Sequence, residues 1–104
     1  MHRLPILKLE VDSRGTLWLT PAPSEFTSDY FDRIYRAAMS ARWDGSRFYI
    51  RPESELTTVE QVGQIARAAE DELGIEFVRT ASTEFVNLTP EVLAAATSVY
   101  RRRE

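Results

Sequence analysis

A chain of 104 residues with sixteen Asp/Glu against thirteen Lys/Arg carries a net charge of −3. That is one domain with one core, and too acidic overall for a generic polyanion binder, which needs clustered cations. There is no cysteine and a single histidine, and no apolar run approaches the roughly 18 residues of a membrane span. Disulfides, thiolate nucleophiles and His/Cys metal sites are therefore excluded.

The charge is uneven. Residues 1–52 hold eight Lys/Arg and six Asp/Glu, a balance of +2, and residues 53–104 hold five and ten, a balance of −5. Twelve of the thirteen cations are arginine. Eleven aromatic residues spread along the chain argue against disorder. The start, Met1-His2-Arg3-Leu4-Pro5, lacks the long apolar stretch of a signal peptide, so a cytoplasmic home is the simplest expectation.

Residues 6–20 read as a β-hairpin. Leu7, Leu9 and Val11 alternate with Lys8 and Glu10, and Leu17 and Leu19 alternate with Thr16, Trp18 and Thr20. Asp12-Ser13-Arg14-Gly15 is the turn. Trp18 falls out of phase with the leucines, so it either covers a second packing layer or marks an exposed contact. Pro21-Ala22-Pro23 ends the strand, because proline cannot donate to a ladder.

A first helix is expected from between Ser24 and Ser28 to about Arg42, with Phe26, Tyr30, Ile34, Ala38 and Ala41 on one stripe. Trp43-Asp44-Gly45 then reads as a turn, followed by a strand from Arg47 to Arg51 and a polar connection, Pro52-Glu53-Ser54-Glu55. Thr57 with Glu60, or Thr58 with Gln61, makes a capping box for a second helix. Its apolar stripe is Val59, Val62, Ala66, Ala69 and Leu73, and Gly74 is the residue that ends it. Ile75 to Arg79 is a strand and Glu84 to Leu88 a further short one. Thr89-Pro90-Glu91 opens the last helix, with Val92, Leu93, Ala96, Val99 and Tyr100 as its apolar face. The order ββαβαβ(β)α predicts an α+β two-layer sandwich: a small mixed sheet with an N-terminal hairpin and about three helices.

No catalytic pattern appears. The four glycines are scattered, so there is no phosphate loop. A Ser–His pair would need His2, and a Ser–Lys pair would need Lys8, the one lysine. Glu70-Asp71-Glu72 project about 100° apart on a helix and do not converge on an ion. The expectation is a module that binds without catalysing and needs no cofactor or metal.

The stretch from Phe26 to Ile50 is where a partner is suggested. Arg33 and Arg36 share a helix face. Arg42 follows, then Trp43, and Arg47 and Arg51 lie on one side of a strand. These six residues are the candidate nucleic-acid-binding set. The alternative is that the arginines are solvated charges paired with Asp29, Asp32 and Asp44, and that Trp43 caps the core edge. Arg101-Arg102-Arg103 either stabilises the last helix dipole or reaches a phosphate or an acidic partner.

Tyr30 to Leu56 resembles the small accessory domain found beside the motor in some DNA helicases and translocases, namely the HARP domain of annealing helicases and the N-terminal domain of UvsW-type helicases. The residues that carry the likeness are the helix with Phe31 and Ile34, then Ser40-Ala41-Arg42-Trp43-Asp44-Gly45-Ser46-Arg47-Phe48-Tyr49, and more loosely Val62-Gly63-Gln64-Ile65. The resemblance implies a domain that engages branched or duplex–single-strand DNA and helps a motor remodel it, with Arg42, Trp43 and Arg47 at the DNA-facing turn; the partner expected on this reading is forked or single-stranded DNA. The rival expectation is a protein partner. In that reading the chain is a phage or mobile-element regulator, an inhibitor of a host or defence protein, or an immunity-like protein, and Glu53, Glu55 and Glu70 to Glu72 meet a basic surface. A third reading docks the C-terminal helix on another copy of the chain. No membrane partner is expected.

Overall fold

The computed structural model describes residues 1–53 and 55–102. Ser54 of the polar connection and Arg103 of the C-terminal arginine run lie outside that range. The elements are β1 (His2–Val11), β2 (Leu17–Pro21), α1 (Ser28–Asp32) with a 3₁₀ turn (Arg33–Arg36), β3 (Ala41–Trp43), β4 (Phe48–Ile50), α2 (Thr58–Ala68) with a π turn (Ala69–Leu73), β5 (Ile75–Val78), β6 (Glu84–Val86) and α3 (Pro90–Val99).

The strands form one mixed sheet in the order β3-β4-β2-β1-β5, with β6 also on β1. The β1/β2, β2/β4 and β3/β4 pairs are antiparallel, and β5 and β6 run parallel to β1. β1 is long enough to serve both. Its first half pairs with β5 and its second half with β6, and a bulge between Ile6 and Lys8 separates the two registers on its other side. His2 belongs to this pairing: its N–H donates to the Gly74 carbonyl at 3.0 Å.

Strand periodicity sorts side chains by face. Leu9–Leu19–Phe48–Trp43 and Val11–Leu17–Ile50–Ala41 are two rungs across β1, β2, β4 and β3 that turn inward. They pack against Val62, Ile65, Ala69 and Leu73 of α2 and its π turn, and against Val92, Ala96 and Tyr100 at α3. The rung between them, Glu10–Trp18–Tyr49–Arg42, turns outward. None of its members is fully buried: Arg42 is exposed, and Glu10, Trp18 and Tyr49 are half-buried.

The helices start where the sequence says. The Thr57 hydroxyl accepts from the Glu60 N–H at 3.2 Å, and the Glu60 carboxylate accepts from the Thr57 N–H at 2.9 Å. Such a cap contributes about 1 kcal/mol. Gly74 ends the π turn at φ 64°, a left-handed conformation that glycine adopts without strain. Thr89 caps α3, with Pro90 in its first turn. α3 docks in its own core through Val92, Ala96 and the adjoining Tyr100, whose hydroxyl donates to the Val62 carbonyl at 2.8 Å and whose burial pushes the phenol pKa up.

Four apolar positions read as core-facing, Leu7, Val59, Leu93 and Val99, are exposed, Leu7 because the bulge gives the core side to Ile6, and one element departs from expectation. The first helix does not run to Arg42. It closes with the 3₁₀ turn at Arg36, and Ala41-Arg42-Trp43 is an edge strand. The physical reason is the Asp-Gly turn. The Asp44 carboxylate accepts from the Ser46 N–H at 2.8 Å and the Arg47 N–H at 2.7 Å, and Gly45 sits at φ 102°. The Asp44 N–H donates back to the Arg47 carbonyl at 2.9 Å. Hairpin closure and burial of Ala41 against the core override the helix propensity of Ala37, Ala38 and Met39.

Candidate nucleic-acid interface on the open sheet face

The outward rung brings chemistry together from four strands. Trp18 on β2 and Tyr49 on β4 are cross-strand partners with ring centroids 5.1 Å apart. Arg42 on β3 is the cross-strand partner of Tyr49. The Arg51 guanidinium lies 5.8 Å from the Tyr49 ring centre on the same face. An open cleft of about 600 Å³ beside Tyr49 is lined by Met39, Ser40, Arg42, Arg51 and Glu53. Two smaller clefts share Arg51 and Arg14 with each other and lead past Asp12, Thr16 and Trp18. The result is a track from Arg42 across Tyr49 and Arg51 to Arg14.

The turn between β1 and β2 fixes Trp18. One carboxylate oxygen of Asp12 accepts from the Arg14 N–H at 2.9 Å and the Thr16 N–H at 3.0 Å, and the other accepts from the Trp18 indole N–H at 2.9 Å. The Trp18 bond, followed by the Thr16 bond, holds the Asp12 carboxyl below its ordinary value of 3.8. Asp44 is also lowered. Burial opposes its ionisation most, and the bonds from Ser46 and Arg47 together outweigh that.

The six sequence candidates divide. Arg42, Arg47 and Arg51 share the open face. Arg33 and Arg36 do not reach it: both bind the Glu72 carboxylate, at 3.3 and 3.6 Å. Trp43 turns to the core side, with its ring 4.7 Å from Phe31 and 4.6 Å from Phe48 and its indole N–H donating to the Ser28 hydroxyl at 3.1 Å. Arg42 and Trp43 are neighbours in a strand, so they point to opposite faces.

The cations on the face also differ from one another. Arg47 is engaged. Its guanidinium lies 3.7 Å over the Trp18 ring, 3.4 Å from Glu10 and 3.9 Å from Asp44. Arg42 donates to the Met39 and Ala41 carbonyls. Among the described residues no carboxylate lies within ion-pair distance of Arg14, Arg42 or Arg51. Tyr49 and Arg14 are the residues sequence reasoning missed. Tyr49 shares strand parity with Arg47 and Arg51, which is the signal that places it beside them. Arg14 is assigned to a turn, and no local pattern brings it to Arg51. No group of three His, Cys, Asp or Glu among the described residues is arranged to hold a metal ion. No helix among them is long and apolar enough to cross a membrane.

No family model matches the chain, and no curated protein matches it. Among solved structures it is similar to an integron cassette protein, Hfx_Cass5, from the mobile metagenome of the North West Arm sewage outfall. The two are 28% identical over 95% of this chain and 96% of that one, with a TM-score of 0.41.

Proposed function

We propose that this domain is a non-catalytic module that binds single-stranded nucleic acid on the open face of its sheet. The observation that carries the reading is the Arg42–Tyr49–Trp18 rung, with Arg51 and Arg14 continuing it. It pairs the half-buried Tyr49 ring with three arginines that, among the described residues, have no carboxylate within ion-pair distance. A base stacks on Tyr49, and the phosphates on either side meet Arg42 and Arg51. Base–aromatic stacking contributes about 1–3 kcal/mol per base and tolerates any sequence. An exposed sheet face bearing aromatics suits unstacked bases, whereas a duplex keeps its base faces inside the stack. Of the three residues that the resemblance to helicase accessory domains puts at a DNA-facing turn, this reading keeps Arg42, while Trp43 turns to the core and Arg47 is held by Glu10 and Trp18.

The net charge of −3 limits the electrostatic share of affinity. Three phosphate contacts give a salt dependence of log affinity near −2 for a single strand. Of the acidic residues that the protein-partner alternative rests on, Glu72 is already bound to Arg33 and Arg36. The test is fluorescence anisotropy of labelled single-stranded, duplex and forked DNA at low and moderate salt. The reading predicts salt-sensitive binding of single strands, and of forks through their unpaired arms, with duplex weaker than either. Absence of binding at low salt, where screening is least, would remove the reading and leave a protein partner as the working hypothesis.

A further inference from the structure

The cleft beside Tyr49 contains a group that a purely phosphate-binding surface would avoid. Glu53 lines it together with Arg42 and Arg51. Among the described residues Glu53 forms no ion pair with either arginine. A carboxylate there repels phosphate, so its favourable partner is a hydrogen-bond donor. On a strand whose base stacks on Tyr49, the donors at the rim of the ring are on the edge of the base.

Bases differ sharply on that edge. An ionised carboxylate only accepts hydrogen bonds, through two oxygens side by side. The Watson–Crick edge of guanine presents adjacent donors, the ring N–H and the 2-amino group, which match the two oxygens. Thymine and uracil present one N–H between two carbonyl oxygens, and those oxygens face the carboxylate unfavourably. Cytosine and adenine each present an amino group beside an acceptor nitrogen. On this basis, and resting on the single-strand reading above, we infer that Glu53 is a specificity-determining residue that selects guanine at the Tyr49 position. The cleft, at about 600 Å³, has room for a purine.

The test compares three labelled pentanucleotides that differ only at the centre: all thymidine, central guanosine, and central inosine, which keeps the ring N–H and lacks the 2-amino group. Bidentate recognition of a base predicts that guanosine binds about five- to a hundredfold tighter than thymidine, with inosine between them. Glu53→Gln keeps the size of the side chain and removes the acceptor pair. It should bring the three affinities within about twofold of each other, leaving the thymidine oligomer bound as well as before or more tightly. That is a stacked base retained without selection. Equal affinities in the wild type, or a guanine preference that survives Glu53→Gln, would overturn the inference and leave the single-strand reading standing. If none of the three binds the wild type at low salt, the single-strand reading fails and the role of Glu53 fails with it.

Discussion

Two adjacent rungs of one ladder have opposite fates in this protein. Leu9–Leu19–Phe48–Trp43 and Glu10–Trp18–Tyr49–Arg42 cross the same four strands one residue apart. The first is sealed under helices, with Phe48 fully buried between Phe31, Trp43 and Phe77. The second faces outward and carries aromatic and charged groups side by side. Each rung has a tryptophan with a hydrogen-bonded indole: Trp43 to Ser28 at the core edge, and Trp18 to Asp12 on the open face. The lesson is that an aromatic residue beside arginines indicates a binding face only when it shares their strand parity. Trp43 does not share it with Arg42, and Tyr49 does share it with Arg47 and Arg51.

The comparison breaks most visibly in stability. Phe48→Ala should cost about 3–5 kcal/mol, because it leaves a cavity in a sealed core. Tyr49→Ala, one residue on, should cost only about 0.5–1.5 kcal/mol, the loss of one cross-strand aromatic pair. Urea denaturation of the two variants checks this, and equal costs would mean that the outward rung is packed after all. In binding the order reverses. Tyr49→Ala should weaken single-strand affinity by about 1–3 kcal/mol in anisotropy titrations. Trp43→Phe, which keeps a ring in the core, should leave it unchanged.

The sequence alone separates these rungs only partly. Alternation along β2, the capping box at Thr57 and Glu60, Gly74 and the Thr89-Pro90 start all report local chemistry, and each sits where the pattern placed it, whereas in β1 the bulge after Ile6 turns Leu7 outward and buries Ile6 instead. β3 was illegible as a strand because Phe26 to Ala41 also has helical spacing. The choice was made by pairing with β4 through the Asp44-Gly45 turn, a contact between segments that neither segment encodes by itself. The same gap hid the sorting of the arginines. Arg33 and Arg36 find Glu72, some forty residues along the chain, and Arg14 reaches Arg51 through the fold. Arg47 was legible as a surface cation, but its engagement by Glu10 and Trp18 requires β1, β2 and β4 to be laid side by side.

Those arginine groups sharpen the comparison at a smaller amplitude. Arg42→Ala with Arg51→Ala should reduce the salt slope of binding by about 1.4, two phosphate contacts on a single strand. Arg33→Ala with Arg36→Ala should leave affinity and slope within error, since those side chains face Glu72. Titration at several salt concentrations distinguishes the pairs, and a larger loss from the second pair would move the interface to the helical side.

The smallest effect is in acid. In the folded state Asp12 and Asp44 have carboxyl pKa values below their ordinary 3.8. The unfolded chain therefore takes up protons first as pH falls. The stability these groups contribute is present above about pH 3.8 and is lost as pH drops through the folded values. Asp12→Asn should flatten that acid limb in thermal melts at pH 2 to 5 and loosen Trp18. An unchanged limb would show that the β1–β2 turn does not depend on the Asp12 charge.

The most direct measurement uses the two tryptophan indole N–H signals, one for each rung, in a ¹H–¹⁵N NMR titration with an unlabelled single-stranded pentanucleotide at low salt. Binding on the open face predicts that the Trp18 indole and the backbone amides of Tyr49, Arg42 and Arg51 shift with a common saturation curve, while the Trp43 indole and the Arg33 and Arg36 amides stay in place. Shifts centred on Trp43, Arg33 and Arg36 with Trp18 and Tyr49 unmoved would contradict it, and so would no shift in either group.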